Sequence, residues 1–262
     1  MIFIQPSIDP VLISIGFLDI RWYSLAYIFG FLFGSLLIKK FNQSFGNLIN
    51  NKTIDRFFIW SILGVIIGGR IGYVIFYQTS SLLIDPFFLF EIWKGGMSFH
   101  GGLIGIIIST YLFTKYNNLN FYYLSDLISI VAPIGIFFGR IANFINSELY
   151  GKITNFPIAM IYPKIDLNTR HPSQLYEAFF EGIVLFIVML IIYSKNKGEN
   201  TYGKISGYFL IFYSIFRFLN EFLREPDAHL GLFFNIFSMG QILSIPLLIL
   251  GIIIINKNEH KT

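Results

Sequence analysis

The sequence predicts an all-α polytopic membrane protein with seven transmembrane helices, its N-terminus outside and its C-terminus cytoplasmic, and a small extracytoplasmic region. Three observations predict it. Apolar residues make up 55% of the 262-residue chain and charged residues only 13%, far below the roughly one-quarter charged share of a soluble domain. Seven apolar runs approach the ~20 residues that a helix needs to cross about 30 Å of hydrocarbon. Lysine and arginine are shared unevenly between the segments that join those runs.

The elements follow in order. The first twenty residues, MIFIQPSIDPVLISIGFLDI, lack a basic start and contain Pro6, Asp9, Pro10 and Asp19, unlike a cleaved signal peptide. Residues 1–21 therefore read as an interfacial arm. The apolar runs lie at 22–38, 57–77, 97–114, 124–144, 175–194, 205–223 and 237–255. Runs of this length in lipid must satisfy their own backbone groups, so they read as helices. Two connections stand out, a long mixed one at 145–174 and the polar turn KNKGENTYGK at 195–204. The chain reads as a single integral membrane domain over 1–262, with 145–174 as its extracytoplasmic loop region.

Orientation comes from the loops. One alternate set holds ten basic residues (Lys39, Lys40, Lys52, Arg56, Lys115, Lys195, Lys197, Lys204, Lys257 and Lys261) and the other five (Lys94, Lys152, Lys164, Arg170 and Arg224). The richer side is expected in the cytoplasm. Four pairs of glycines four residues apart, 30/34, 64/68, 101/105 and 135/139, are expected to let helix backbones approach closely.

Composition also excludes. The net charge of +4 is scattered singly and forms no stripe, so no nucleic acid is expected as a partner. The chain has no cysteine, hence no disulfide and no thiolate of its own; any thiol chemistry must use a thiol brought by a substrate. Glycine-rich phosphate loops and zinc spacings are absent from the sequence, and no cofactor or metal is expected. Ser98 and His100 sit two apart, a spacing that does not face two side chains together on a helix, and no Gly-x-Ser-x-Gly turn presents the serine, which argues against an intramembrane serine protease.

Four arginines, Arg21, Arg70, Arg140 and Arg217, fall within or at the edge of apolar runs. An arginine at the bilayer centre costs about 2.5–3.5 kcal/mol on insertion scales, so several in one bundle imply a polar interior that something uses. Two readings stay open for each. One pairs the arginine with an intramembrane acid, Asp126, Glu148, Glu177, Glu181 or Glu221. The other aims its planar donor fork at phosphate or carboxylate oxygens. Tyr213, Arg217, Glu221 and Arg224 are spaced four, four and three apart, which places them on one helix face. Arg140, Asn143, Asn146 and Ser147, followed by Glu148, gather donors at the end of the fourth run. His100, between glycines, suits either a structural role or that of a general base near neutral pH. Arg170 and His171 stand at a loop-to-helix boundary, with Pro172 near the helix start and Gln174, Glu177 and Glu181 along one face.

The run GRIANFINSELYG at 139–151 resembles, at every fixed position, the signature Gly-Arg-x-Gly/Ala-Asn-Phe-x-Asn-x-Glu-x-x-Gly of prolipoprotein diacylglyceryl transferases. The resemblance extends in order through RWYS at 21–24, GGRIGYVIFY at 68–77, GGMSFHGGLIG at 95–105, RHPSQLYE at 170–177, LREPDAH at 223–229 and SMGQILSIP at 238–246. It implies a multi-pass enzyme of the bacterial cytoplasmic (inner) membrane, working among membrane lipids. Such an enzyme takes phosphatidylglycerol as donor and the lipobox cysteine of a prolipoprotein signal peptide as acceptor, in the first step of lipoprotein maturation. It further implies a catalytic set of Arg140, Arg217, His100, Tyr23 and Glu221. Phosphatidylglycerol would be bound by Arg140, Asn143, Asn146, Glu148, Gly151, Tyr213 and Arg70. The chain departs from the family pattern at Ser24, where many members have glycine, and in a shorter loop between Phe156 and Arg170. Two rivals remain from the residues alone: a carrier or scramblase of anionic lipids, and a scaffold whose charges are simply paired.

Overall fold

Each of the seven apolar runs is helical in the computed structural model, which describes residues 3–15, 18–91, 96–196, 201–226, 231–233 and 236–259. The helices are α1 (Trp22–Ser44), α2 (Asn51–Tyr77), the short α3 (Thr79–Ile84), α4 (Phe99–Tyr116), α5 (Phe121–Asn146), α6 (Ser173–Glu177), α7 (Leu185–Asn196), α8 (Lys204–Asn220) and α9 (Met239–Glu259). A π-helical segment, Ala178–Val184, joins α6 to α7 in one continuous rod.

Five helices among the described residues are long and apolar enough to cross a membrane: Trp22–Ser44, Asn51–Ile75, Phe121–Asn146, Ser173–Asn196 and Met239–Lys257. The other two runs form shorter helices, with α4 at 18 residues and α8 at 17. At 1.5 Å per residue, α8 rises only about 25 Å. A further turn extends it, because Glu221 N–H donates to the Arg217 carbonyl and Arg224 N–H to that of Asn220, both at 3.2 Å.

The all-α expectation needs correcting outside the apolar runs. The arm contains β1 (Phe3–Ile4) and a hairpin of β2 (Val11–Ile15) and β3 (Leu18–Arg21). The 145–174 connection contributes β4 (Met160–Ile161) and β5 (Thr169–Arg170), giving a three-stranded sheet in the order β1-β4-β5, with β1 parallel to β4 and β4 antiparallel to β5. Outside the hydrocarbon, backbone groups need not be satisfied within one segment, so strand pairing between distant pieces of chain becomes available.

The chain divides into two compact units, residues 39–125 and residues 1–38 with 126–262. The first is built on a glycine seam. A Cβ added at Gly68 would stand 2.7 Å from the Gly105 Cα, and one at Gly72 2.7 Å from the Gly101 Cα, so α2 and α4 touch backbone to backbone. The expected packing role therefore holds for the 64/68 and 101/105 pairs, whereas Gly139 faces open space. Beside this seam Arg70, only 2% exposed, donates to the carbonyls of Phe88 at 2.6 Å and Leu89 at 3.2 Å, with its guanidinium 4.8 Å from the Phe88 ring.

In the second unit α8 is fixed to α5 by a cap supplied from across the bundle. The Asp126 carboxylate accepts Gly203 N–H at 2.6 Å, Ser206 N–H at 2.8 Å and Ser206 Oγ–H at 2.6 Å. These donors open α8, whose N-cap Gly203 has φ +105°, and a carboxylate there meets both orphan N–H groups and the positive end of the helix dipole.

Candidate active site

Three elements of the second unit meet around a cluster of arginine and glutamate. Gly182 makes this possible on the π segment: a Cβ there would stand 2.7 Å from the Phe137 Cβ, so α5 lies directly against it. One turn beyond Phe137, Arg140 reaches Glu177 Oε2 through Nη1 and Glu181 Oε2 through Nη2, both at 3.0 Å. From α8, Arg217 Nη1 contacts Glu177 Oε1 at 2.7 Å and Glu181 Oε1 at 3.7 Å. Glu177 thus bridges the two arginines, and both acids are 0% exposed.

The face expected on α8 is present. Arg217 Nη2 pairs with Glu221 one turn on, and Arg224 Nη1 reaches the same Glu221 oxygen at 3.2 Å. The other Glu221 oxygen accepts Ser238 Oγ–H at 2.5 Å. A Cβ at Gly240 would overlap the Glu221 carboxylate, so the start of α9 must be glycine for that carboxylate to sit there. Asn220 donates to Glu181 at 3.4 Å. Three arginines face three glutamates, so the assembled cluster is formally neutral while its guanidinium groups are held in fixed directions.

A second group closes α5. Asn143 Nδ2 donates to Glu148 Oε2 at 3.2 Å and Asn146 Nδ2 to Glu148 Oε1 at 3.3 Å. Gly151 ties this end to the extension of α8. Its N–H donates to the His171 carbonyl at 3.0 Å, while its neighbours pair with 223–225: Lys152 N–H to Leu223 O at 2.9 Å and Glu225 N–H to Tyr150 O at 3.1 Å. A side chain at 151 would run into the His171 carbonyl and stand 2.8 Å from that of Leu223.

Above it, Arg170 binds Asp166 at 2.6 Å, Glu225 at 3.2 Å and the Gly151 carbonyl at 3.2 Å. Arg170's hydrogen bonds pull the Asp166 carboxyl down to about 2, and Asp166 in turn raises Arg170. Burial, aided by Lys152, lowers His171 below its usual value.

The structure therefore brings Arg140, Arg217 and Glu221 together. Tyr213 stands one turn before Arg217 with its ring stacked 5.8 Å from Phe209. Asn143, Asn146 and Glu148 form their own group, and Gly151 links it to the end of α8. Tyr23 lies in the first turn of α1 with its ring 5.5 Å from Tyr27; among the described residues no contact joins it to the arginines. Arg70 belongs to the other unit, held as described above. His100 is on α4 in that unit too, but its side chain lies outside the described residues, as does most of PDAH at 226–229. Residues that the sequence reading did not place in the site are Glu177 and Glu181, which it offered only as acids that could pair with the arginines, Arg224, and Ser238, Gly240 and Asn220. For Ser238 and Gly240 the sequence signal was the SMGQILSIP segment within the family resemblance, and for Asn220 only its polar character at the edge of an apolar run.

The comparisons with known proteins bear on this geometry. The family model for prolipoprotein diacylglyceryl transferase matches residues 10–256. The chain belongs to that family. A Rickettsia bellii (strain OSU 85-389) protein named phosphatidylglycerol–prolipoprotein diacylglyceryl transferase is 50% identical over 257 residues, covering 98% of each chain. Proteins of the same name from Rickettsia typhi and Rickettsia felis are 48% and 47% identical, each over 98% of this chain and 100% and 99% of their own lengths. Membership of the diacylglyceryl transferase family thus covers both compact units and every residue of the arginine–glutamate cluster.

Proposed function

We propose that this protein transfers the diacylglyceryl group of phosphatidylglycerol to the thiol of the lipobox cysteine in a prolipoprotein signal peptide. The observation that carries this reading is the sharing of one buried carboxylate, Glu177, by two intramembrane arginines. A guanidinium has five N–H donors. Arg140 directs two of its nitrogens at Glu177 and Glu181, which fixes its plane and leaves donors for a further anion.

The chemistry accounts for the charge. The precursor's thiol, with a pKa near 8.5, loses its proton and its sulfur attacks the glyceryl carbon bonded to the phosphate oxygen. The S–C bond forms, that C–O bond breaks, and glycerol phosphate departs with the bonding pair. A phosphodiester monoanion becomes a monoester able to carry a second negative charge, so donors fixed in a low-dielectric cavity favour the transition state over the ground state. Arg140 and Arg217 serve that role. Glu221 orients Arg217, and Asn143, Asn146, Glu148, Gly151 and Tyr213 contribute to the lipid headgroup site. Tyr23 donates to the headgroup, and His100 takes the thiol proton. Seven spans, an outer N-terminus and a cytoplasmic C-terminus in the bacterial inner membrane complete the reading.

Purified protein incubated with phosphatidylglycerol vesicles and a lipobox peptide is expected to yield a thioether-linked diacylglyceryl peptide, seen as a mass increase at cysteine. A carrier or scaffold would leave the peptide unmodified, and that result would overturn the proposal. Replacing His100 by glutamine tests the base separately: near-normal transfer excludes the histidine from proton transfer.

A further inference from the structure

The turn that follows α5 is backbone-strained at two places. Ser147 has φ +59° and Leu149 φ +56°, left-handed conformations that side-chain-bearing residues adopt rarely. Between them stands Glu148. Such conformations persist where the surroundings over-determine them, and they gather at functional sites.

The surroundings here are specific. Gln5, from the arm, donates through Nε2 to the Phe144 carbonyl and accepts Ser147 Oγ–H on its Oε1 at 2.8 Å. Gln174 Nε2 donates to the Glu148 carbonyl at 2.6 Å, and its Oε1 accepts the Tyr162 hydroxyl at 2.8 Å. Ser173 Oγ donates to the Leu149 carbonyl at 2.7 Å. Gln5, Tyr162, Ser173 and Gln174 are each 4% exposed or less. Two stretches of chain far apart in sequence, at 5 and at 173–174, thus direct buried side chains at one turn, and the carbonyls of Phe144, Glu148 and Leu149 each receive one of them.

We infer that Gln5, Ser173 and Gln174 are positioning residues that hold Glu148 in its orientation towards Asn143 and Asn146, and so prearrange the headgroup site. The inference rests on the reading of Glu148 as a site residue. Its carboxylate accepts from Asn143 and Asn146 while its backbone is clamped from behind, so both ends of the residue are fixed in direction. A displacement of about 1 Å in such a group is enough to lower turnover by about 100-fold.

A double-mutant cycle in the full-length protein tests this, with phosphatidylglycerol vesicles and a lipobox peptide as substrates. Gln174→Leu is expected to lower kcat by about 10- to 100-fold with the peptide KM little changed. In the Glu148→Gln background the same replacement is expected to change kcat by less than about twofold, because a residue acting through Glu148 has nothing left to position. Equal losses in both backgrounds, or no loss in either, would overturn the inference and mark Gln174 as structural. Full activity of Glu148→Gln alone would instead overturn the site reading itself, and the inference with it. Gln5→Ala, placed in the same cycle, gives an independent answer from the other end of the chain should Gln174→Leu fail to fold, with the same pattern expected and the same pattern decisive against.

Discussion

The two compact units join their helices in opposite ways. In residues 39–125, α2 and α4 meet along glycines, with Gly64, Gly68 and Gly72 against Gly101 and Gly105. In the other unit α5, the π segment and α8 meet through Arg140, Glu177, Glu181 and Arg217. Both solve the same problem, since lipid gives no hydrophobic drive to bring helices together. The glycine seam solves it with backbone contact alone. The charged seam requires desolvating four ionised groups, and replacing such a group by apolar residues is often neutral or stabilising. A chain that can join helices with glycine does not need buried arginine to do so, and this difference supports the proposed chemical role of the charged seam.

The largest effects should appear there. Arg140→Met paired with Glu181→Leu removes one charge of each sign, so the bundle should still fold, while diacylglyceryl transfer should fall by about 1,000-fold or more. Glu181→Leu alone leaves the buried cluster with one more cation than anions and should lower stability by about 3–5 kcal/mol, read as thermal unfolding in detergent. Arg217→Lys should also abolish most activity, because an ammonium cannot address Glu177, Glu221 and a headgroup with fixed, coplanar donors. Full transfer by the paired variant would break the comparison and return the cluster to a scaffold role.

The glycine seam should respond in the other currency, stability. A Cβ at Gly64 would stand 2.7 Å from the Gly105 carbonyl oxygen, so Gly64→Val should destabilise by about 1–3 kcal/mol through overpacking. The loss of activity should track the loss of folded protein. A transfer rate per folded molecule that collapsed as is expected at Arg140 would show that the seam also shapes the site.

Asp126 lies between the two cases, being charged and buried yet serving as a helix cap. Asp126→Ala should cost about 1–2 kcal/mol, as other cap removals do, with a smaller change in turnover than any arginine replacement. Transfer abolished in a folded Asp126→Ala protein would place that carboxylate with the chemistry instead.

Much of this was legible in the sequence because lipid makes a charge conspicuous. Arg140 and Arg217 stand out within apolar runs, and spacings of four and three put Arg217, Glu221 and Arg224 on one face before any fold is known. The partners were less legible. Glu177 and Glu181 could be named as candidate acids, but 37 to 41 residues separate them from Arg140 in the chain, and helical period carries no information across that gap. The π segment has no period that distinguishes it from α-helix over seven residues. The two-residue strands β1, β4 and β5 are too short to alternate. The left-handed positions at 147 and 149 carry serine and leucine where glycine would have announced them, and Gln5, which grips that turn, lies 142 residues away from Ser147.

The smallest effect concerns an ion pair outside the apolar runs, where Arg170 holds Asp166, and it sharpens the comparison by showing what such a pair does without chemistry to perform. The Asp166 carboxyl lies near 2 when folded against an ordinary 3.8, so the unfolded chain binds its proton first. Its contribution is complete above about pH 4 and is lost only as pH falls through about 2. His171 is lowered from 6.5; its neutral form is favoured in the fold, so the 145–174 connection loses stability as pH falls below 6.5. Hydrogen exchange at the Gly151 amide, which is bonded to the His171 carbonyl, should therefore quicken between pH 7 and 5 relative to its intrinsic rate. That change should vanish in His171→Gln and persist in Asp166→Asn. If Asp166→Asn removed it instead, the carboxyl would have to titrate well above its ordinary range, contrary to the hold that Arg170 has on it.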